Sequence, residues 1–429
     1  MPSSLLRRLV WWAGAVLIGL LAIGFAACSD RADHLRHLLV ARNPTWMLLA
    51  TPAGLALSSW LTRTWFRGAQ GSGIPQTIAA LEMESEIAVD RVLSLRIAFG
   101  KMLLTVLGLL SGGSIGREGP TVQVGAAIMH AVGRVMRLSD LATRRGLILA
   151  GGAAGISAAF NTPLGGIVFA IEELSHSFEA RTSGTMLTAV ILSGVTSMAL
   201  VGNYTYFGHT TAMLPIGVGW LAVLASGLLG GLGGGLFSAI LVRMSAGLPG
   251  RAGGFVRDRP ILFAALCGLV LAGIGILTHG ATYGTGYAQA RHLVDGTATG
   301  DAALGPAFFV WKFLASLVSY ASGIPGGIFA PSLSIGAGIG GSLAVLLPHS
   351  PPGAVVLLAM VAYFSAVVQA PLTATVIVME MTDNQGLTVP LLASAFLAYG
   401  VSRLISPQPL YGALAKRFLD ADAPVTVRT

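Results

Sequence analysis

The sequence predicts an all-α, polytopic membrane protein built from two related halves. Three observations carry the prediction. Hydrophobic residues make up 54% of the 429 and charged residues only 10%, where a soluble domain carries about 25% charged. The chain divides into many apolar runs separated by polar stretches. One spacing of Lys, Gly, Pro and Glu recurs in both halves. Mean hydropathy is +0.76, so each charge inside the bilayer needs a partner or a function.

A helix that crosses the hydrocarbon needs about 20 apolar residues. The runs 9–28, 46–61, 95–111, 184–202, 216–244, 260–278, 303–321, 354–369 and 389–405 reach or approach that length. The first follows Arg7 and Arg8 and ends Ala26-Ala27-Cys28, a pattern shared with secretory and lipoprotein signals. Phe25 stands where such cleavage sites favour Leu, and the run is read as a retained first helix. The runs 121–137, 146–160, 162–174, 326–347 and 371–382 are short or broken by Gly and Pro. They predict helices that end inside the membrane, where irregular backbone is tolerated only if it is buried in protein or lines a polar cavity. The polar stretches 29–45, 62–94, 175–183, 247–259, 279–302 and 406–429 are read as surface loops and tails.

The net charge of +8 fits Lys and Arg placed at the cytoplasmic membrane surface, and no nucleic-acid partner is expected. Cys28 and Cys267 form no CxxC pair, and the eight histidines form no HxxxH or HExxH pattern. No disulfide framework, metal site or cofactor is expected. An intramembrane serine protease would need a Gly-x-Ser-Gly and an ATP-driven pump a Walker A sequence; the chain has neither, and it is read as no enzyme.

The repeat is the most informative feature. Lys101 stands 19 residues before Pro120 (120 − 101 = 19), and Lys312 stands 19 before Pro331 (331 − 312 = 19). Each proline is preceded four residues earlier by a glycine, Gly116 or Gly327, and is followed by Gly125-Ala126 or Gly336-Ala337. Asn161-Thr-Pro163-Leu164 matches Gln369-Ala-Pro371-Leu372, and Glu172 and Glu380 each fall nine residues after that proline. Duplicated halves with broken helices mark secondary transporters, whose sites lie near the membrane midplane. The sequence leaves open whether the halves are inverted or parallel.

Three Gly-rich segments stand out: Gly71-Ser-Gly-Ile-Pro75, Gly116-Arg-Glu-Gly-Pro120 and Gly326-Gly-Ile-Phe-Ala-Pro331. Each carries a proline suited to the first turn of a helix. A helix starting there aims free N–H groups and a positive dipole end at whatever precedes it, which suits an anion. Glu118 lies in such a start. Ionised, its carboxylate can occupy an anion position; protonated, it can swing away. Glu172 and Glu173 are adjacent in an apolar run, so on a helix they point about 100° apart and cannot share one environment. Glu172 has a repeat partner in Glu380 whereas Glu173 matches Met381. Glu172 and Glu380 are therefore read as architectural and Glu173 as functional. Lys101 and Lys312 either raise the local positive potential or pair with carboxylates.

GSGIP, GREGP and GGIFAP, in this order and spacing, resemble the signature sequences of the CLC chloride channel/transporter family, and Tyr411 in Pro409-Leu-Tyr-Gly-Ala-Leu is similar to that family's late pore tyrosine. The resemblance runs from about 60 to 417. It implies a CLC-type fold of two inverted halves, with a first helix and linker over 1–45, repeats over 46–205 and 206–405, and a short tail 406–429 that carries the tyrosine and no regulatory CBS domains. It implies that the hydroxyls of Ser72 and Tyr411 and the backbone N–H groups of Ile328 and Phe329 hold a central chloride. Gly116, Arg117 and the backbone that follows them would help form an outer site. It implies that Glu118 is the gating, proton-carrying glutamate and Glu173 the internal proton-transfer glutamate of exchangers, with Lys101, Glu172 and Glu380 in support. Serine at 72 favours chloride, with bromide and nitrate permeant. Gln76 departs from an acid found in some bacterial relatives, and Ser322-Gly-Ile-Pro325 departs from a plain Gly/Ser run. The implied function is proton-coupled chloride exchange by a homodimer, multi-pass in the inner membrane with both termini cytoplasmic. A passive chloride channel of the same family is the alternative, and an organic-solute transporter a more distant one.

Overall fold

The computed structural model describes residues 4–138, 140–175, 180–202, 205–214, 217–247, 249–296 and 305–420. The start of the apolar run at 216, residues 303–304 of the run 303–321, and the loop and tail positions 176–179, 297–302 and 421–429 lie outside them.

The first half comprises α1 (Ser4–Arg42), α2 (Met47–Thr64), α3 (Ile74–Glu82), α4 (Glu86–Leu93), α5 (Leu95–Leu110), α6 (Glu118–Val135), α7 (Leu141–Phe160), α8 (Pro163–Phe169), which continues as a π turn over Ala170–Ser175, and α9 (Ala180–Val201). The second comprises α10 (Leu221–Ser245), α11 (Gly250–Asp258), α12 (Pro260–Leu277), α13 (Tyr287–Val294), α14 (Phe308–Ala321), α15 (Phe329–Leu346), α16 (Pro352–Val368), α17 (Pro371–Thr382) and α18 (Thr388–Ile405), followed by α19 (Leu410–Asp420). Seven helices among the described residues are long and apolar enough to cross a membrane. The described residues contain no β-strand, only two isolated bridges.

Several stretches read as loops are helical instead. The segment 29–42 continues α1, while α3 and α4 fill much of 62–94, and α11, α13 and α19 lie within 247–259, 279–302 and 406–429. Their polar residues have partners that the hydropathy pattern does not reveal. Asp30 on α1 takes a bond from Arg117, and Arg36 is paired with Asp33. The Ala26 carbonyl, next to the candidate cleavage site, accepts from Arg117 Nη1 at 2.8 Å, which ties this part of α1 into the first half.

The two halves share backbone detail as well as sequence. α7 and α16 both end on a left-handed cap, Asn161 (φ 56, ψ 40) and Gln369 (φ 61, ψ 35). The next residues, Thr162 and Ala370, sit at φ −126, ψ 82 and φ −127, ψ 80. Gly116 and Gly327 are repeat mates, and they exchange two N–H···O=C bonds of 2.7 Å. A residue that pairs reciprocally with its own mate marks a two-fold relation. The bridge is antiparallel. It sends α6 and α15, each beginning two residues later, away in opposite directions, so the halves are inverted.

A second exchange has the same symmetry. The Glu380 carboxylate accepts from the N–H groups of Leu164 (3.2 Å) and Gly165 (2.7 Å) at the start of α8. Glu172 accepts from Leu372 (3.2 Å) and Thr373 (2.7 Å) at the start of α17. Each acid satisfies orphan donors of the other half and opposes that helix's positive end. In the core, α6 lies tight on α7. A Cβ on Gly125 would stand 2.2 Å from the Gly151 carbonyl oxygen, and one on the repeat mate Gly336 2.7 Å from Met360 Cα.

Two stability outcomes follow from these contacts. Gly125→Ala must push α6 off α7 and lowers stability by about 1–3 kcal/mol, the range for overpacking. Gly273→Ala, in open space on α12, leaves the thermal midpoint in detergent unchanged or slightly higher. Glu172→Ala and Glu380→Ala each strip two helix-start donors, one exposed and one half-buried, of their acceptor. Each lowers the thermal midpoint, by about 1–3 kcal/mol in stability, and Gln in place of Ala restores part of the loss.

Candidate functional site

The site forms where α3, α6, α15, α19 and the π turn converge. The loop ahead of α3 turns through Gly71 (φ +64) and Gly73 (φ +106), conformations that favour glycine. It is held open by side chains rather than by regular structure. Gln76 Oε1 accepts from the Gly73 N–H (3.1 Å), and its amide donates to the carbonyls of Gly68 (3.1 Å) and Gln70 (2.6 Å). Fully buried Lys101 donates from Nζ to the carbonyls of Gly71 (2.8 Å) and Gln70 (3.3 Å). Gln76, a departure from the family pattern, thus braces the serine loop.

This bracing sets Ser72 directly on the start of α6. A Cβ on Gly119 would stand 2.3 Å from Ser72 Oγ, so glycine there lets the two segments touch. Tyr411, fully buried in the first turn of α19, brings its hydroxyl within reach of Ser72 and of the charges of Glu118 and Glu173. Ser72 Oγ, Tyr411 Oη, Glu118 Oε2 and Glu173 Oε1 are all buried and without a hydrogen-bond partner. Buried polar atoms are normally satisfied. Four orphans on residues from four segments, linked through Tyr411, which lies within reach of the other three, mark a polar chamber in an apolar body.

The helix starts supply its positive end. Neither α6 nor α15 has a bond from its N-cap side chain, which leaves the first-turn N–H groups of α15, those of Ile328 and Phe329, without a side-chain cap, while those of α6 lie beside the Glu118 carboxylate. The Phe329 ring points elsewhere, stacked between Phe160 (4.8 Å) and Phe364 (4.0 Å); only backbone from that position serves the site. The Glu118 carboxylate folds back toward the N–H groups of Arg117 and of Glu118 itself. Oε2 lies against Gly116, where a Cβ would stand 2.2 Å away. The acid therefore sits where an anion would be attracted.

Two expected anion ligands contribute differently from the sequence reading. The Gly116 N–H and carbonyl are both used in the bridge to Gly327, so Gly116 offers room for Glu118 rather than a donor. The Arg117 guanidinium is occupied by Asp30 Oδ1 (2.6 Å), the Ala26 carbonyl (2.8 Å) and Tyr206 Oη (3.1 Å); its backbone alone reaches the site. Lys101 bonds carbonyls, not carboxylates, and Lys312 does likewise with those of Gly284 (2.8 Å) and Thr282 (3.0 Å). Glu172 and Glu173 diverge as their spacing requires. Glu172 caps α17, whereas Glu173 is 2% exposed and lies on the π turn. Such turns are frequent at functional sites. Beside the Ser72 loop lies a cavity of about 520 Å³ with a basic lining of Arg67, Arg91 and Arg96, together with Gln70 and Phe418.

The sequence reading missed Tyr287, whose hydroxyl donates to Glu118 Oε1 at 2.7 Å, and Tyr206. A signal for Tyr287 existed: Gly71-Ser-Gly has a mate in Gly284-Thr-Gly (284 − 71 = 213), which extends the repeat to the loop ahead of α13.

Known proteins share this sequence and fold. The family described as Voltage gated chloride channel matches residues 53–403. The H(+)/Cl(-) exchange transporter ClcA of Yersinia pestis bv. Antiqua (strain Angola) is 32% identical over 94% of this chain and 86% of its own length. The crystal structure of a slow cyanobacterial Cl-/H+ antiporter superposes with a TM-score of 0.82 at 25% identity, covering 97% of this chain and 99% of that one. A eukaryotic CLC transporter has the same fold, with a TM-score of 0.76 at 21% identity over 96% of this chain and 75% of that one. With the three Gly-rich helix starts, the paired halves and the matched length in agreement, the chain belongs to the voltage-gated chloride channel (CLC) family.

Proposed function

We propose that this multi-pass membrane protein exchanges chloride for protons. The observation that carries the reading is the chamber itself. The Ser72 hydroxyl lies against the uncapped start of α6, the Tyr411 hydroxyl lies beside Ser72, and the Glu118 carboxylate is folded over that same helix start. Neutral donors and helix ends attract a monovalent anion without trapping it, which permits turnover. Ionised Glu118 takes the anion's place; protonated Glu118 gives up that place and carries a proton. Glu173, buried and within electrostatic reach of Tyr411, supplies a second proton stop. Protons and chloride share the path near Glu118 and part at Tyr411. Lys101 and Gln76 act through the Ser72 loop, and Glu172 and Glu380 through the helix starts that they cap.

A passive channel is the second reading. A buried acid at 173 has no task in such a channel, and the curated relatives at 32% identity are named as exchangers. We place the protein in a cell (inner) membrane with both termini cytoplasmic, a placement that suits Arg8, Lys416 and Arg417 near the ends. We also propose a homodimer. Repeat mates Leu164 and Leu372, 55% and 45% exposed at the starts of α8 and α17, give each subunit a symmetric apolar patch for it.

Chloride inward and a proton outward move charge in one direction, so transport is electrogenic, each charge feeling about 2.3 kcal/mol per 100 mV. In proteoliposomes, a chloride gradient drives protons uphill. Glu173→Gln abolishes proton movement and keeps chloride flux, and Glu118→Gln also uncouples while leaving the anion path open. Wild-type chloride flux with no proton movement would establish the channel reading instead.

A further inference from the structure

Tyr287 follows Gly284-Thr285-Gly286, and the repeat makes this loop the mate of Gly71-Ser72-Gly73. The backbone agrees: φ is +68 at Gly284 against +64 at Gly71, and +85 at Gly286 against +106 at Gly73. The lysines agree as well, because Lys312 bonds the Gly284 carbonyl as Lys101 bonds that of Gly71. One loop therefore occurs twice, with different first helical residues. In the first half that residue is Ile74, fully buried. In the second it is Tyr287, whose Oη donates to Glu118 Oε1 at 2.7 Å.

The tyrosine is held firmly. Its ring lies 5.0 Å from that of Tyr206 and 5.8 Å from that of Phe207. Tyr206 Oη donates to the Ala159 carbonyl at the end of α7 (2.7 Å) and accepts from Arg117 Nη2 (3.1 Å). The Phe207 N–H donates to the Met381 carbonyl on α17 (3.2 Å). Arg117 is in turn anchored to α1 through Asp30. Parts of both halves thus fix a phenol that grips one oxygen of Glu118, while the other oxygen has no partner.

We infer that Tyr287 is a latch on Glu118: a positioning residue that holds the carboxylate over the start of α6 and sets how strongly this acid competes with chloride. The inference rests on the reading of Glu118 as the anion's competitor. A hydrogen bond to a charged acceptor is stronger than one between neutral groups, so it favours the ionised, occluding carboxylate. An anion that displaces Glu118 must break it. Anion affinity is therefore lower than the chamber alone would give.

The test is bromide or chloride binding to the purified full chain by isothermal titration. Tyr287→Phe keeps the ring among Tyr206 and Phe207 and removes only the hydroxyl. It lowers the apparent Kd by about tenfold, the equivalent of one charge-assisted hydrogen bond. In a Glu118→Ala background, the same substitution leaves Kd unchanged, because the latch has nothing to hold. No change in the wild-type background overturns the inference. So does an equal change in both backgrounds, since that is the mark of a packing role. Tyr287→Leu in both backgrounds gives the same comparison if the phenylalanine variant does not fold. Glu118→Ala alone separates the two claims. If it fails to tighten binding, the competitor reading falls; if it tightens binding and Tyr287→Phe does not, only the latch falls.

Discussion

Backbone polarity inside a bilayer is the constraint on which this structure depends. A helix broken at mid-membrane leaves N–H groups that lipid cannot satisfy. The chain breaks apolar helices more than once, and it settles the resulting groups in two ways. Some are bonded across the two halves, as in the Gly116–Gly327 exchange and at the starts of α8 and α17. Others, at the starts of α6 and α15, have no bond from an N-cap side chain. The division between bonded and uncapped starts separates framework from function.

The two adjacent glutamates illustrate the same division. Glu172 lies on the side of the turn that faces α17 and is consumed by its backbone. Glu173, one residue on, faces inward and keeps an unpartnered oxygen. The buried lysines, similarly, serve geometry. Each holds the carbonyls of a Gly-rich loop, so the loop can turn at depth and present Ser72 in one half and Tyr287 in the other.

Much of the candidate site is legible in the sequence because its residue types are local to short motifs. Gly and Pro announce helix starts, and Glu118 and Ser72 stand within those motifs. The roles of Gly116 and Arg117 could not be read in this way. A glycine whose backbone is already paired and an arginine drawn to Asp30, 87 residues away in sequence, are decided by what lies beside them in space. The helices within 29–45, 62–94 and 279–302 escaped for a related reason. Some of their polar residues pair with distant partners, Asp30 with Arg117, Asp90 with His130 and Tyr287 with Glu118, so low hydropathy there did not mean a loop.

By itself, then, the sequence determined an all-helical membrane chain of two related halves, the broken helix starts, and the acids and hydroxyls set in them. Periodicity, composition and motif spacing are properties of the chain order. Only the tertiary structure decided that the halves are inverted, that Glu172 and Glu380 cap each other's half, and that Tyr287 meets Glu118. These depend on contacts between residues more than 150 positions apart, which no local pattern encodes.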